Sequence, residues 1–160
     1  MRWDLLDKFE LLQRSVRSRA VKSFTGREDF FAEHYPGKPV LPEPLLIEMV
    51  AQAGGVLFGL GLDFKKEVIL AKINSAVFPR EITPPCTLTI DACLSDEREE
   101  GAQIEGTVTT ASGDTAARVE LMLVSMDSLQ GIPGGQVVFP KSFLEHYDVY
   151  TIAKHSEAAR

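Results

Sequence analysis

Cysteine is nearly missing from this chain: Cys86 and Cys93 are the two among 160 residues, too few for a disulfide framework or a cysteine-rich zinc site. A reduced, cytoplasmic setting is the expectation that follows. Histidine is almost as scarce, with three copies, and no His, Cys or Asp cluster has metal-ligand spacing, so no metal is expected. A glycine loop able to cradle phosphates is also lacking. Gly54, Gly55, Gly59 and Gly61 lie within or at the end of one apolar run, where small residues permit close packing, and no cofactor is expected. Basic residues are outnumbered, 17 against 23 acidic, for a net charge of −6, which argues against nucleic acid or an anionic membrane as partner. The opening MRWDLLDKFELLQ is interrupted by Asp4, Asp7 and Glu10 and lacks the unbroken apolar core of a signal peptide. The one long hydrophobic run, residues 44–62, contains Glu48, Gln52 and four glycines, so it reads as a helix buried in protein rather than a membrane span.

What remains is an ordinary globular composition, 44% hydrophobic and 25% charged, sized for one domain with a terminal appendage. An apolar segment around Leu5 to Leu12 is followed by a strand-like stretch from Val16 to Phe24 and a turn at Gly26. In FFAEHYPGKPVLPEP, Pro36, Gly37, Pro39, Pro42 and Pro44 leave little room for regular structure, which predicts a shaped loop. Pro44 suits a first helical turn, and LLIEMVAQAGGVLFGLGL behind it is apolar on almost every face, as in a helix at the middle of a core. Then VILAKINSAVF, TLTIDACL, QIEGTVTT and ARVELMLVS read as strands, separated at SDEREEG and ASGD. The layout predicts an α+β fold, an antiparallel sheet wrapped around one long central apolar helix. We place this domain at residues 1–125 and a C-terminal extension at 126–160. The extension begins loop-like through GIPGG. Ser142 and Glu145 have the spacing of a helix capping box, and Phe139, Phe143, Leu144, Tyr147, Tyr150 and Ile152 predict docking on the domain or on a partner subunit. The final KHSEAAR is expected to fray.

Glu48 is singled out by the physical cost of its position. Among Leu45, Leu46, Ile47, Met49 and Val50 a carboxylate loses most of its hydration and needs a compensating partner. Gln52, one helical turn on, could supply a hydrogen bond, which leaves a satisfied polar pair and a functional acid as equal readings. His34 lies just upstream in the proline-rich loop, and imidazole is the side chain best suited to move a proton near neutral pH. His146 and His155, in the extension, have no chemical partner nearby in sequence and read as bystanders.

The stretch HYPGKPVLPEPLLIEMVAQAGG resembles the signature of the β-hydroxyacyl-acyl-carrier-protein dehydratases, His-Phe-Pro-Gly-x-Pro-Val-Met-Pro-Gly followed by a helix bearing Glu-Ala-x-Ala-Gln. His34, Pro36, Gly37, Pro39, Val40, Pro42, Glu48, Ala51 and Gln52 fall on matching positions. WDLLDKFELL and AKINSAVFPREITPPCTL extend the resemblance across residues 1–125. It implies a hotdog fold, working as a homodimer or higher homo-oligomer in which the histidine of one subunit faces the acid of the other. It implies that His34 takes the proton next to the thioester carbonyl and that Glu48 helps the β-hydroxyl leave as water. Gly37, Glu43 and Gln52 are the implied substrate-binding positions, with an acyl chain on acyl-carrier protein as substrate and fatty-acid biosynthesis as setting.

Two departures stand out. Glu43 replaces the family glycine whose amide serves the developing enolate, so a positive φ there would be costly, and Pro44 brings no N–H. ITPPCTL also replaces Val-x-Pro-Gly-Asp-x-Leu. The alternatives are a hotdog acyl thioesterase, with Glu48 activating water, and a non-catalytic acyl-binding homodimer. A double-bond-isomerising relative ranks lower because that branch carries aspartate at the Glu48 position. Arg17, Arg19, Lys22, Lys72 and Arg80 are candidates to meet an acidic carrier protein, and Leu45, Met49, Phe58 and Phe78 to set the depth of an acyl tunnel.

Overall fold

The computed structural model describes residues 5–98, 100–127 and 137–158; GIPGG, Trp3 and Asp4 lie outside them. Two strands, β1 (Lys8–Gln13) and β2 (Arg17–Phe24), precede a short helix α1 (Phe30–Glu33) and the long helix α2 (Glu43–Gly61). Strands β3 (Glu67–Val77), β4 (Cys86–Arg98), β5 (Gly101–Thr110) and β6 (Thr115–Met126) follow, then helices α3 (Lys141–His146) and α4 (Val149–Ala158). The strands form one six-stranded sheet in the order β1-β2-β4-β5-β6-β3, with every pairing antiparallel.

The sheet owes its inner face to alternation. In β5, Ala102, Ile104, Gly106 and Val108 are buried while their neighbours are more open, and in β6 the same holds for Val119, Leu121 and Leu123. Helix α2 lies against β2, β3, β4, β5 and β6 and supplies thirteen buried residues of its own. By length and hydropathy α2 could cross a membrane, but 67% of its apolar window is buried in the protein. The approach of helix to sheet is very close: a Cβ at Gly54 would stand 2.7 Å from Ile104, and one at Gly106 would stand 2.2 Å from Val50. The buried Ser18 hydroxyl donates to the Ala53 carbonyl at 3.1 Å and ties β2 to the helix. This is the hotdog arrangement that the patterning and the resemblance implied.

Three local expectations are corrected. FFAE forms the single turn of α1, because Phe31 is buried and Phe30 and Phe31 pack edge-on against Phe24. Strand β4 runs on through SDER, since Asp96, Glu97 and Arg98 pair with Gln103, Ala102 and Gly101 beyond a bulge; backbone pairing tolerates polar side chains at an exposed strand end. In the extension, α3 is capped by Pro140 with no side-chain cap, so Ser142 and Glu145 both lie inside it and form no capping box.

The tail is also more firmly held than its polar sequence suggests. Helix α4 packs on the edge strand β1 and continues through Ala158. Buried Ser156 accepts the Leu12 N–H at 3.1 Å, so an otherwise unpaired edge donor is satisfied. The Tyr147 hydroxyl donates to the Leu6 carbonyl at 2.9 Å, and its ring meets Phe9 edge-on.

Candidate active site

The proline-rich loop is shaped by a turn and by its own backbone. Tyr35 and Lys38 exchange both backbone hydrogen bonds at 3.0 Å around Pro36 and Gly37, and Gly37 has φ +78, the conformation that glycine supplies without strain at the third position of a tight turn. Beyond the turn, the Val40 N–H donates to the His34 carbonyl at 3.0 Å. His34 Nδ1 lies 3.1 Å from the Val40 carbonyl. A carbonyl only accepts, so Nδ1 carries the proton and the lone pair of the neutral ring is left on Nε2. Tyr35 stacks on the imidazole at 4.3 Å between centroids, and the Leu41 N–H donates to the Ile82 carbonyl at 2.7 Å, anchoring the loop to the segment after β3. His34 is half-buried and lines a cleft of about 180 Å³ together with Tyr35, Glu43, Pro44 and Arg80.

Glu43 is the first residue of α2 and is not one of the non-glycine residues with positive φ, which among the described residues are Ser15, Asp63, Phe64 and Asp148. The conformational cost expected for replacing glycine at Glu43 therefore does not arise here. Its carboxylate also lies in the first helical turn, where negative charge meets the positive end of the helix dipole.

Glu48 lies on a second cleft, of about 370 Å³. Helix α2 is not buried all round as its sequence suggested: Ile47, Glu48 and Gln52 are half-open. Glu48, Ala51, Gln52 and Gly55, at the three- and four-residue steps of one helix face, form one wall of this cleft. Gln52 Nε2 donates to Glu48 Oε1 at 3.0 Å. The opposite walls are Val68, Ile69 and Leu70 of β3, Leu123 of β6, and Val138, Phe139 and Phe143 of the extension.

Within one protomer His34 and Glu43 share one cleft and Glu48 and Gln52 the other, while Gly37 lines neither. The proposed catalytic pair thus occupies separate clefts of a single chain. Over residues 4–120 the chain matches the model of the FabA-like domain. The chain belongs to the FabA-like dehydratase family. Among its relatives is the 3-hydroxyacyl-acyl-carrier-protein dehydratase FabZ of Clostridium acetobutylicum, 34% identical over 73% of this chain and 83% of the relative. The FabZ of Aeromonas salmonicida is likewise 34% identical, over 74% of this chain and 79% of that protein. Similarity to the bifunctional enzyme LpxC/FabZ of Chlorobaculum tepidum, at 30% identity, spans 77% of this chain but 27% of that longer protein.

Solved structures share the fold at lower identity. AziG of S. sahachiroi superposes with a TM-score of 0.62 at 19% identity, over 74% of this chain and 90% of that one. A hypothetical thioesterase of Streptococcus pneumoniae TIGR4, solved with coenzyme A, gives a TM-score of 0.61 at 10% identity, over 78% and 91% of the two chains.

Several features of this FabA-like chain's clefts were not legible in its sequence. The Val40 carbonyl that orients His34 is a backbone group with no side-chain signal. The expected tunnel residues Leu45, Met49, Phe58 and Phe78 line neither cleft, and Met49 and Phe58 are wholly buried in the core, because α2 turns them under the sheet. Phe139 and Phe143 take the place beside Glu48. Their aromatic character marked the extension as a docking element, but nothing in the sequence said against what. Three of the five basic candidates are matched by acids of the same chain: Arg19 by Asp91 at 2.7 Å, Lys22 by Asp7 at 2.9 Å and Arg80 by Asp114 at 2.9 Å.

Proposed function

We propose that this protein removes water from β-hydroxyacyl thioesters carried on acyl-carrier protein, giving trans-2-enoyl thioesters in fatty-acid biosynthesis in the cytoplasm, and that it does so as a homodimer. The observation that carries the reading is the hydrogen bond from His34 Nδ1 to the Val40 carbonyl. It fixes the tautomer whose Nε2 can take the proton from the carbon beside the thioester carbonyl. The electron pair of that C–H bond becomes the new double bond while the C–O bond at the β-carbon breaks. Glu48 gives its proton to the departing hydroxyl, so His34 ends protonated and Glu48 ionised, and release of the His34 proton and uptake of one by Glu48 reset the site. Gln52 holds the Glu48 carboxyl in the cleft by the hydrogen bond described above. We assign to the amide of Glu43, at the start of α2, the negative charge that develops on the carbonyl oxygen. Gly37 acts on substrate through the turn it permits.

Dimerisation would bring the two clefts together, the His34 side of one subunit facing Glu48 of its partner. Strand β3 is one edge of the sheet and exposes Leu70, Ile73 and Val77 by 39%, 45% and 54%. An apolar open edge invites pairing with a second copy, and Leu70 lies in the Glu48 cleft itself. Arg80 lies on the His34 cleft, where an acidic carrier would deliver its acyl group. We divide the chain into a hotdog domain, residues 1–125, and an extension, 126–160, whose helix α4 packs on β1.

Incubation with β-hydroxyacyl and enoyl thioesters tests the reading. A reversible change in enoyl absorbance is expected, and His34→Ala should lower turnover by roughly 10²–10⁴-fold with the dimer intact. Release of free thiol without an enoyl signal would favour the thioesterase instead, and undiminished turnover in His34→Ala would remove His34 from the mechanism.

A further inference from the structure

The Glu48 cleft has a wall that the family domain does not supply. The FabA-like match ends at residue 120, yet Val138, Phe139 and Phe143 lie on the cleft with Glu48, Gln52 and Gly55. The segment is held there by several independent contacts. The Val138 N–H donates to Glu67 Oε2 at 2.8 Å, which pins it to the start of β3. Phe139 meets Phe64 edge-on at 6.1 Å and leans on Phe143 at 5.2 Å; Phe143 in turn leans on Tyr147 at 4.7 Å. A Cβ at Gly55 would stand 2.9 Å from Phe139 Cζ, so the ring lies against the bare backbone of α2 two turns beyond Glu48.

We propose that Phe139 and Phe143 determine acyl-chain specificity: the C-terminal extension walls the Glu48 cleft at Gly55, two helical turns beyond Glu48, and limits how long an acyl chain it accepts. The inference rests on the acyl-thioester reading of the Glu48 site. The occupant follows from the lining, which beyond the Glu48–Gln52 pair is aliphatic and aromatic: Ala51, Gly55, Val68, Leu123 and the two phenylalanines. Such a surface recognises a hydrocarbon chain whose polar head stays at the carboxyl. Two large rings on the wall at Gly55 set a length limit sterically, because each extra methylene that reaches them must displace packed aromatic carbon.

The test compares the intact wild-type protein with Phe139→Ala and Phe143→Ala on hydroxybutyryl and hydroxydecanoyl thioesters. The ratio of kcat/KM for the long chain over the short one should rise by roughly tenfold or more, in line with the 10–200-fold that one methylene can be worth in an apolar pocket. A change that only weakened folding would lower both values and leave the ratio unchanged. The same ratio is then measured as affinity by calorimetry, using butyl and decyl pantetheine thioethers, which cannot react. A rise in the affinity ratio with no dehydration of any substrate would leave the length limit standing and remove the dehydratase reading. An unchanged affinity ratio in both variants overturns the length limit whatever the turnover. If the alanine variants do not fold, Phe139→Leu, which keeps apolar packing while shortening the wall, must show a smaller shift in the same direction, and no shift overturns the proposal.

Discussion

Gly106→Ala is the sharpest test of how α2, and Glu48 with it, is seated. The added Cβ would stand 2.2 Å and 2.8 Å from the two Val50 methyls and 3.1 Å from the Val50 Cβ. Real carbon atoms do not approach that closely, and Val50 is wholly buried, so the helix must lift from β5. Overpacking of this kind costs about 1–3 kcal/mol. For a chain of this size that corresponds to a fall in melting temperature of roughly 2–12 °C, read by circular dichroism at one fixed protomer concentration. Val50→Ala removes the two nearest atoms and should itself cost roughly 2 kcal/mol through two lost buried methyl groups. The double variant should then be more stable than the sum of the single effects predicts, by at least about 0.5 kcal/mol, because the clash is gone. Val50 is two residues beyond Glu48 on the same helix, so lifting the helix moves the carboxyl. Turnover of folded Gly106→Ala should fall by up to about a hundredfold, the scale of a 1 Å misplacement. Strictly additive single effects, or a wild-type melting temperature for Gly106→Ala, would refute the claim that the glycine is required by the helix–sheet approach.

Ser156→Ala would leave the buried Leu12 N–H without its acceptor and should cost about 1–3 kcal/mol, with faster proteolysis at the C-terminal helix; an unchanged melt would show that α4 is not held through this bond. Acid titration should single out Glu28. Burial opposes its charge, but the N–H groups of Thr25 and Gly26 and the Thr25 hydroxyl outweigh that and hold its carboxyl below the ordinary 4.5. A lowered folded value stabilises the protein above the ordinary value, and that stabilisation is lost as the pH falls through the folded one. The melting-temperature gap between wild type and Glu28→Gln should therefore be widest at neutral pH and close in acid, and a gap that persists unchanged at low pH would contradict this assignment.

The chain's local patterns carry most of the fold. Period-two alternation in β5 and β6 put their apolar residues inward, and the proline-rich loop bounded α2 at its start to within a residue or two, because these features depend on near neighbours alone. Glu48 could likewise be singled out from its apolar neighbours, although the burial inferred from them does not hold: the side chain is half-open on a cleft. His34 was a different matter: imidazole in a loop is unremarkable, and its role came from a resemblance in motif. Only the tertiary structure supplied the Val40 carbonyl that sets its tautomer, because the loop must close on itself before the two groups meet. Only the tertiary structure showed that Met49 and Phe58 belong to the core while Phe139 and Phe143 reach the Glu48 cleft. Sequence periodicity tells which side chains leave water, not which surface they leave it for. That choice depends on contacts between Gly55 and Phe139, or Leu12 and Ser156, whose partners stand most of the chain apart and are brought together by folding.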